Sequence, residues 1–357
     1  MNLYFFVIGL VLLVAGADLL VRTSSELAGR LGIPPVIIGL TVIAYGTSAP
    51  EIAFTYQAAW IGQTDLAVAN VVGSNIFNQY LILGLAAVIL PLSVHRNLIE
   101  LDIPLVLGLG TVVWLSGLDG TLGWLEGGLL FVSWFLYTGA SIYHAHEEPR
   151  EVHREFLGTL ADAPRLTILE RFGSVMLTIG VVLGIVLLVL GSRWFSEGAV
   201  SVARFLGVSE WVIGATIVAA GTSFPELATS VLAAVNGRDD VAIANVIGSS
   251  LFNIMGGLGG ASVLSGADLP IGRGVMIFDL PVMVVGFFVC LPFALSNFEL
   301  SRWEGAVLVL YFSIYNILLF NGWLPGWLHT FGGTVLVLLP ILLTTLVELS
   351  RSTLSPT

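Results

Sequence analysis

The sequence predicts an all-α polytopic membrane protein: two inverted five-helix repeats, hence ten core transmembrane helices, plus one extra C-terminal helix. Three observations carry that prediction. The 357 residues are 56% hydrophobic and only 10% charged, with a mean hydropathy of +0.96, whereas soluble domains carry about 25% charged residues. The apolar residues fall in long continuous runs, which suit membrane helices and not the short alternating strands of a membrane barrel. Residues 31–85 align without gaps on residues 206–260 at an offset of 175, with 26 of the 55 positions identical.

The apolar runs place spans at about 3–21, 35–60, 65–91, 98–118 and 122–143. A second series follows at about 174–195, 210–235, 240–264, 274–296, 302–320 and 332–349. The first repeat therefore occupies 1–143, a polar linker 144–172, the second repeat 173–320, and the additional helix with its tail 321–357. Ala15-Gly16-Ala17 resembles a signal-peptide cleavage site. No basic residue precedes it, and the span has a counterpart in the second half, so the span is expected to be retained.

Arginine placement orients the chain. With the N-terminus outside, Arg22, Arg30, Arg96, Arg150, Arg154, Arg165, Arg171, Arg238, Arg302 and Arg351 collect inside. Only Arg193, Arg204 and Arg273 then lie outside, so the linker is expected in the cytosol and the protein in a plasma (inner) membrane. The linker's His144, His146 and His153 read as part of a solvated connector rather than a metal sensor. A net charge of −11, with every basic residue an Arg, argues against a nucleic-acid partner, which needs a basic face. Cys290 is the single cysteine, so neither an internal disulfide nor a cysteine zinc site is available, and it reads as a core residue.

The duplication extends beyond the aligned block. Gly16 pairs with Gly191 at the same offset, and Arg96, Asp102 and Pro104 pair with Arg273, Asp279 and Pro281 at an offset of 177. Each unit then holds five spans. An odd number turns the second copy upside down relative to the first, the plan of secondary transporters with a midplane site at the repeat interface.

Two motifs recur inside the repeats. The first is Gly46-Thr47-Ser48-Ala49-Pro50-Glu51, with its mate Gly221-Thr222-Ser223-Phe224-Pro225-Glu226. A mid-span proline removes a donor and clashes with the carbonyl four residues earlier, here Gly46 or Gly221. The helix is expected to break there and leave carbonyls free, which is tolerated at membrane depth only when buried in protein or lining a cavity. Glu51 and Glu226 follow directly. A carboxylate at that depth costs roughly 2.5–3.5 kcal/mol on insertion scales. Two such carboxylates related by pseudo-symmetry repel unless a cation or a proton lies between them.

The second motif is Gly73-Ser74-Asn75-Ile76-Phe77-Asn78, with its mate Gly248-Ser249-Ser250-Leu251-Phe252-Asn253. Ser74 and Asn78 share one helix face, as do Ser249 and Asn253. Carboxylate, hydroxyl, amide and carbonyl oxygens suit Ca²⁺ and Na⁺ rather than a soft transition metal. Thr55 and Ser230 lie past the motifs and read as helix–helix contacts. Asp102 and Asp279 read as structural polar contacts at helix ends, and Asp65 and Asp240 as helix N-caps.

These paired blocks resemble the two alpha repeats of the sodium/calcium exchanger family, within the cation/Ca²⁺ antiporter superfamily, over about ten of the eleven spans. The resemblance implies that spans two, three, seven and eight enclose the ions. It implies that Glu51 and Glu226 bind Ca²⁺ and Na⁺. Thr47, Ser48, Ser74, Thr222, Ser223 and Ser249 match the hydroxyl ligands, Asn78 the amide of the first repeat, and the carbonyls of Ala44 and Ala219, on the unwound side of each break, the flanking Na⁺ ligands. Asn253 stands where many members carry Asp, so the fixed charge comes from the glutamates alone, and K⁺ co-transport is not expected. Ser250 replaces a second Asn. The proton/calcium branch usually has G-N-x-x-E where this chain has G-T-S-x-P-E.

The expected activity is exchange of Ca²⁺ for Na⁺ by alternating access, not an enzymatic reaction. Its partners are these ions and the lipid bilayer, with no cofactor and no oligomeric state set by the sequence. Mild acid is expected to inhibit by protonating the glutamates. A H⁺/Ca²⁺ antiporter is the nearest alternative. An intramembrane protease using Asp102 and Asp279 lacks the Gly-x-Gly-Asp motif, and a passive channel or a scaffold would not exchange ions.

Overall fold

In the computed structural model, residues 3–144, 173–207, 219–295 and 298–320 are described. His146 and His153 of the linker, the first half of the span expected at 210–235, and the eleventh span at 332–349 lie outside them. The described chain is almost entirely helical. In order, the helices are α1 (Leu3–Leu31), α2 (Val36–Thr47), α3 (Ala49–Trp60), α4 (Thr64–Ile89), α5 (Leu98–Asp119) and α6 (Trp124–His144). The second half contributes α7 (Gly173–Phe205), α8 (Ala219–Gly221), α9 (Phe224–Val235), α10 (Asp239–Ser265), α11 (Val275–Leu291) and α12 (Arg302–Phe320). Six of the described helices are long and apolar enough to cross a membrane, and the bent pair α2–α3 makes a seventh.

Two helices outrun their apolar spans. The first span was expected to end near residue 21 and the sixth near 195, yet α1 continues to Leu31 and α7 to Phe205. The polar continuations keep helical spacing, with Asp18–Arg22, Glu26–Arg30 and Arg193–Glu197 paired four residues apart. Hydropathy marks where a helix leaves hydrocarbon, not where it stops. Asp65 and Asp240 are not N-caps either. Each is the second residue of its helix, in the first turn where a carboxylate complements the helix dipole.

The chain divides into two compact units, and each draws on both halves of the sequence. The first comprises 1–50 and 132–252, the second 51–131 and 253–357. In the first unit α1 and α7 pack along most of their length. The approach is backbone to backbone: a methyl on Gly16 would lie 2.8 Å from Leu188 N, and one on Gly191 2.6 Å from Leu13 N. These pairings run antiparallel. Arg238, in the turn before α10, donates from Nη1 to the Val21 carbonyl at 2.9 Å and ties that turn to α1. Burial lowers the affinity of this guanidinium for its proton, and Asp240 opposes that.

In the second unit two short antiparallel ladders join the loops. Leu92 and Ser93 pair with Leu300 and Glu299, and Thr121 and Leu122 pair with Pro270 and Leu269. Ser301 and Glu304 form a capping box at the start of α12, with Glu304 Oε2 accepting from Ser301 N at 2.8 Å.

Burial separates the helices by role. The apolar window of α10 is 100% buried and that of α4 72%, against 17% for α6 and 28% for α7. The helices carrying the Gly-Ser motifs are thus interior. The outer ones expose Leu129, Phe135, Leu136, Val182 and Val186, as lipid contact requires.

Candidate functional site

Both proline motifs break their helices in the same way. α2 ends at Thr47, Ser48 takes φ −81° and ψ 3°, and α3 resumes at Ala49 with a bend of 50°. In the second motif α8 ends at Gly221, Ser223 takes φ −89° and ψ 5°, and α9 begins at Phe224. The freed carbonyl is found where proline chemistry puts it. Pro225 has no N–H for Gly221, and the Ser192 hydroxyl of α7 donates to the Gly221 carbonyl instead.

The Ala44 carbonyl is not on unwound backbone. It accepts from Ser48 N at 3.0 Å and from Thr47 Oγ1 at 3.3 Å. The helix keeps its regular bond up to Ser48, because the carbonyl that Pro50 leaves without a donor is that of Gly46, two residues further on. Ala219 lies in the described helical residues just before the second break, Ala219–Gly221.

The first unit holds Thr47, Ser48, Thr222, Ser223, Glu226 and Ser249. Glu226 is fully buried, and its Oε1 accepts from Ser48 Oγ at 2.7 Å. This bond crosses from one repeat motif to the other. Glu226 Oε2, Thr222 Oγ1 and Ser249 Oγ are buried with no hydrogen-bond partner. Thr47 Oγ1 also donates to Asn245 Oδ1 at 3.4 Å, and Asn245 Nδ2 donates to Ser230 Oγ at 2.9 Å.

The second unit holds Glu51, Ser74, Asn78 and Asn253, which are 0%, 5%, 1% and 0% exposed. Asn78 and Asn253 each stand in a π-helical segment, Phe77–Ile82 and Asn253–Leu258. Such wide turns recur at functional sites in helices. Neither amide end of Asn78 has a hydrogen-bond partner, and Asn253 Oδ1 has none. Asn253 Nδ2 donates to Asn75 Oδ1 at 3.2 Å.

Most buried polar atoms in proteins are paired. The predicted ligands supply six of the exceptions: Glu226 Oε2, Thr222 Oγ1, Ser249 Oγ, Asn253 Oδ1 and both ends of Asn78. Five of the six are oxygens, which a hard cation can satisfy. Among the described residues no group of three or more His, Cys, Asp or Glu could hold a metal ion.

Residues read as structural behave so. Asn70 Nδ2 donates to Thr55 Oγ1 at 3.0 Å, and the repeat-related Asn245–Ser230 bond ties α10 to α9 in the same manner. Asp279 accepts from Tyr315 at 2.9 Å, and Cys290 is buried. Sequence reasoning passed over Asn245, Asn75 and Ser192. Asn245 had a signal, since Asn70 and Asn245 are identical across the repeat. Asn75 lay inside the second motif but was not marked by a repeat identity, and neither was Ser192, because their repeat mates are Ser250 and Ala17.

Residues 1–143 and 169–321 match the family described as sodium/calcium exchanger protein. The sodium/calcium exchanger MaX1 of Methanosarcina acetivorans is 31% identical, over 89% of this chain and 98% of that protein. The inner membrane protein YrbG of Escherichia coli is 36% identical, over 74% of this chain and 80% of that protein. A solved structure of the sodium-calcium exchanger NCX_Mj, soaked with 2.5 mM Na⁺ and 1 mM Sr²⁺, superposes with a TM-score of 0.74 at 29% identity. That match covers 89% of this chain and 98% of the other.

Proposed function

Because the chain belongs to the sodium/calcium exchanger protein family, and is a multi-pass membrane transporter rather than an enzyme, we propose that it exchanges Ca²⁺ for Na⁺ by alternating access, without K⁺. The carrying observation is the fully buried Glu226, held by Ser48 of the other motif, among buried oxygens that have no protein partner. In this reading Glu51 and Glu226 supply the charge. Thr47, Ser48, Ser74, Thr222, Ser223 and Ser249 supply hydroxyl oxygens, Asn78 and Asn253 amide oxygens, and Ala219 a flanking carbonyl, while the Ala44 carbonyl would have to give up the hydrogen bonds from Ser48 N and Thr47 Oγ1 to serve as one.

Charge counting makes the cycle electrogenic. One Ca²⁺ neutralises two carboxylates, and three Na⁺ leave a net charge of +1. Each cycle then moves one charge, worth about 2.3 kcal/mol per 100 mV. Without a cation the site carries −2 and resists crossing the hydrophobic barrier, which couples the two fluxes. Asn253 contributes no charge, and K⁺ is accordingly not needed to balance one.

The architecture in this reading is ten core helices in two inverted repeats, plus the C-terminal helix. The antiparallel packing of α1 on its repeat mate α7 supports the inversion. The two ladders support the alternation of spans, since both loops of each pair then fall on one membrane face, and the arginine distribution supplies the sidedness. The N-terminus is then outside and the 144–172 linker cytosolic in a plasma (inner) membrane, with α1 and α7 moving as the gate.

The test is Ca²⁺ uptake into proteoliposomes loaded with Na⁺, comparing external choline with external Na⁺. Uptake that needs the outward Na⁺ gradient, is indifferent to K⁺, and is lost in Glu51→Gln and Glu226→Gln is the expected result. Uptake driven by a pH gradient and indifferent to Na⁺ would overturn the Na⁺ coupling.

A further inference from the structure

We propose that Asn75 is a positioning residue, which turns the Asn253 side-chain amide so that its oxygen is presented to the transported cation. The proposal rests on the reading of Asn253 as an ion ligand. A side-chain amide has one accepting end and one donating end. Only the oxygen can ligate a hard cation. Something must therefore decide which end of Asn253 is committed to the protein.

Asn253 is 0% exposed, and its Nδ2 donates to Asn75 Oδ1 at 3.2 Å. Its Oδ1 is buried without a partner. The donating end is used by the protein and the accepting end is left over. Asn75 is itself oriented: its Nδ2 donates to Met283 Sδ at 3.6 Å. A thioether can only accept. Turning Asn75 over would set its oxygen against the sulfur and its NH₂ against the NH₂ of Asn253. The sequence Met283, Asn75, Asn253 thus has one consistent direction of donation, and it ends in an oxygen available to an ion. A carboxylate at 253 would face the Asn75 oxygen with another acceptor, so position 253 in this chain is fitted to an amide.

The arrangement is not shared by the other repeat. Asn78, the repeat mate of Asn253, has no hydrogen-bond partner at either end. Ser250 stands at the place of Asn75, and its hydroxyl is likewise unpartnered. Of the two amides, one is set in advance and the other is free to turn. Setting a ligand in advance removes part of the ordering cost of binding.

The experiment measures half-saturating Ca²⁺ and maximal rate of Na⁺-driven uptake for the reconstituted full chain. Asn75→Ala is expected to raise half-saturating Ca²⁺ about threefold to tenfold, the worth of one net hydrogen bond, with a smaller change in maximal rate. Met283→Leu keeps the packing and should raise it about twofold. In the double variant N75A/N253A, binding should be no weaker than in Asn253→Ala alone, since Asn75 acts through Asn253. Additive losses in the double variant, or an Asn75→Ala effect confined to maximal rate, would overturn the proposal. Weakened binding in Asn253→Ala with none in Asn75→Ala would sink it alone and leave Asn253 a ligand. Unchanged binding in Asn253→Ala would remove the ligand reading of Asn253 and this proposal together. Should Asn75→Ala fail to fold, Met283→Leu and M283L/N253A carry the same comparison.

Discussion

Replacing Gly248 by Ala probes how closely the site helices must approach. A methyl there would lie 2.5 Å from the Leu40 carbonyl oxygen, 2.7 Å from Leu40 Cα and 2.9 Å from Ala44 Cβ. Two of these atoms are backbone, so no rotamer change relieves the overlap. Reaching an ordinary contact of 3.4 Å from 2.5 Å requires α10 and α2 to separate by about 0.9 Å. Overpacking of this kind costs about 1–3 kcal/mol. The better helix propensity of Ala returns about 1 kcal/mol, leaving a net loss of about 0–2 kcal/mol, toward the upper end because two of the three contacts are with backbone.

Function should suffer more than stability, because α2 ends in Thr47 and leads directly into Ser48. Glu226 stands on α9, which the Asn245–Ser230 bond ties to α10; carried along with α10 by about 0.9 Å, it would stretch the 2.7 Å Ser48–Glu226 bond to about 3.6 Å, no longer a hydrogen bond. Gly108→Ala is the control, since Gly108 is exposed and nothing lies within 4 Å of its added methyl. The assay is thermal unfolding in detergent alongside Na⁺-driven Ca²⁺ uptake. We expect Gly248→Ala to melt a few degrees lower with most uptake lost, and Gly108→Ala to match or exceed the parent in stability. A Gly248→Ala protein with parental melting and uptake would refute the reasoning.

Two further outcomes follow from single hydrogen bonds. Ser48→Ala removes a bond to a charged oxygen, worth about 1.5–3 kcal/mol, and should weaken apparent ion affinity about tenfold to a hundredfold in the uptake assay. Tyr315→Phe strips the half-buried Asp279 of its hydroxyl partner and should cost about 1 kcal/mol in detergent unfolding. Half-saturating Ca²⁺ should stay unchanged in Tyr315→Phe, and a shift would bring Asp279 into the transport machinery.

The breaks at Ser48 and Ser223 were legible because a proline acts on its own helix, four residues back, whatever surrounds it. The fate of the carbonyls was only half legible. That Gly221 would lose its backbone donor follows from Pro225. That Ser192 would replace it does not, since Ser192 lies 29 residues away on α7 and has no repeat mate of its kind. Ala44 shows the opposite failure, because reading it as unwound placed the break two residues too early. The Thr55 and Ser230 contacts were foreseen in kind, while their partners Asn70 and Asn245 were visible only as repeat identities.

Amino-acid order alone decides that this chain is a duplicated, helical membrane transporter with two broken helices and two intramembrane glutamates. Hydropathy, proline geometry and internal identity are properties of short stretches and need no packing to be read. Packing decides which hydroxyls and amides hold those glutamates and which are left over. Ser48 and Glu226, like Asn75 and Asn253, are 178 residues apart. No local preference encodes such a meeting, and whether a buried oxygen is already paired depends on what the distant helix brings to it.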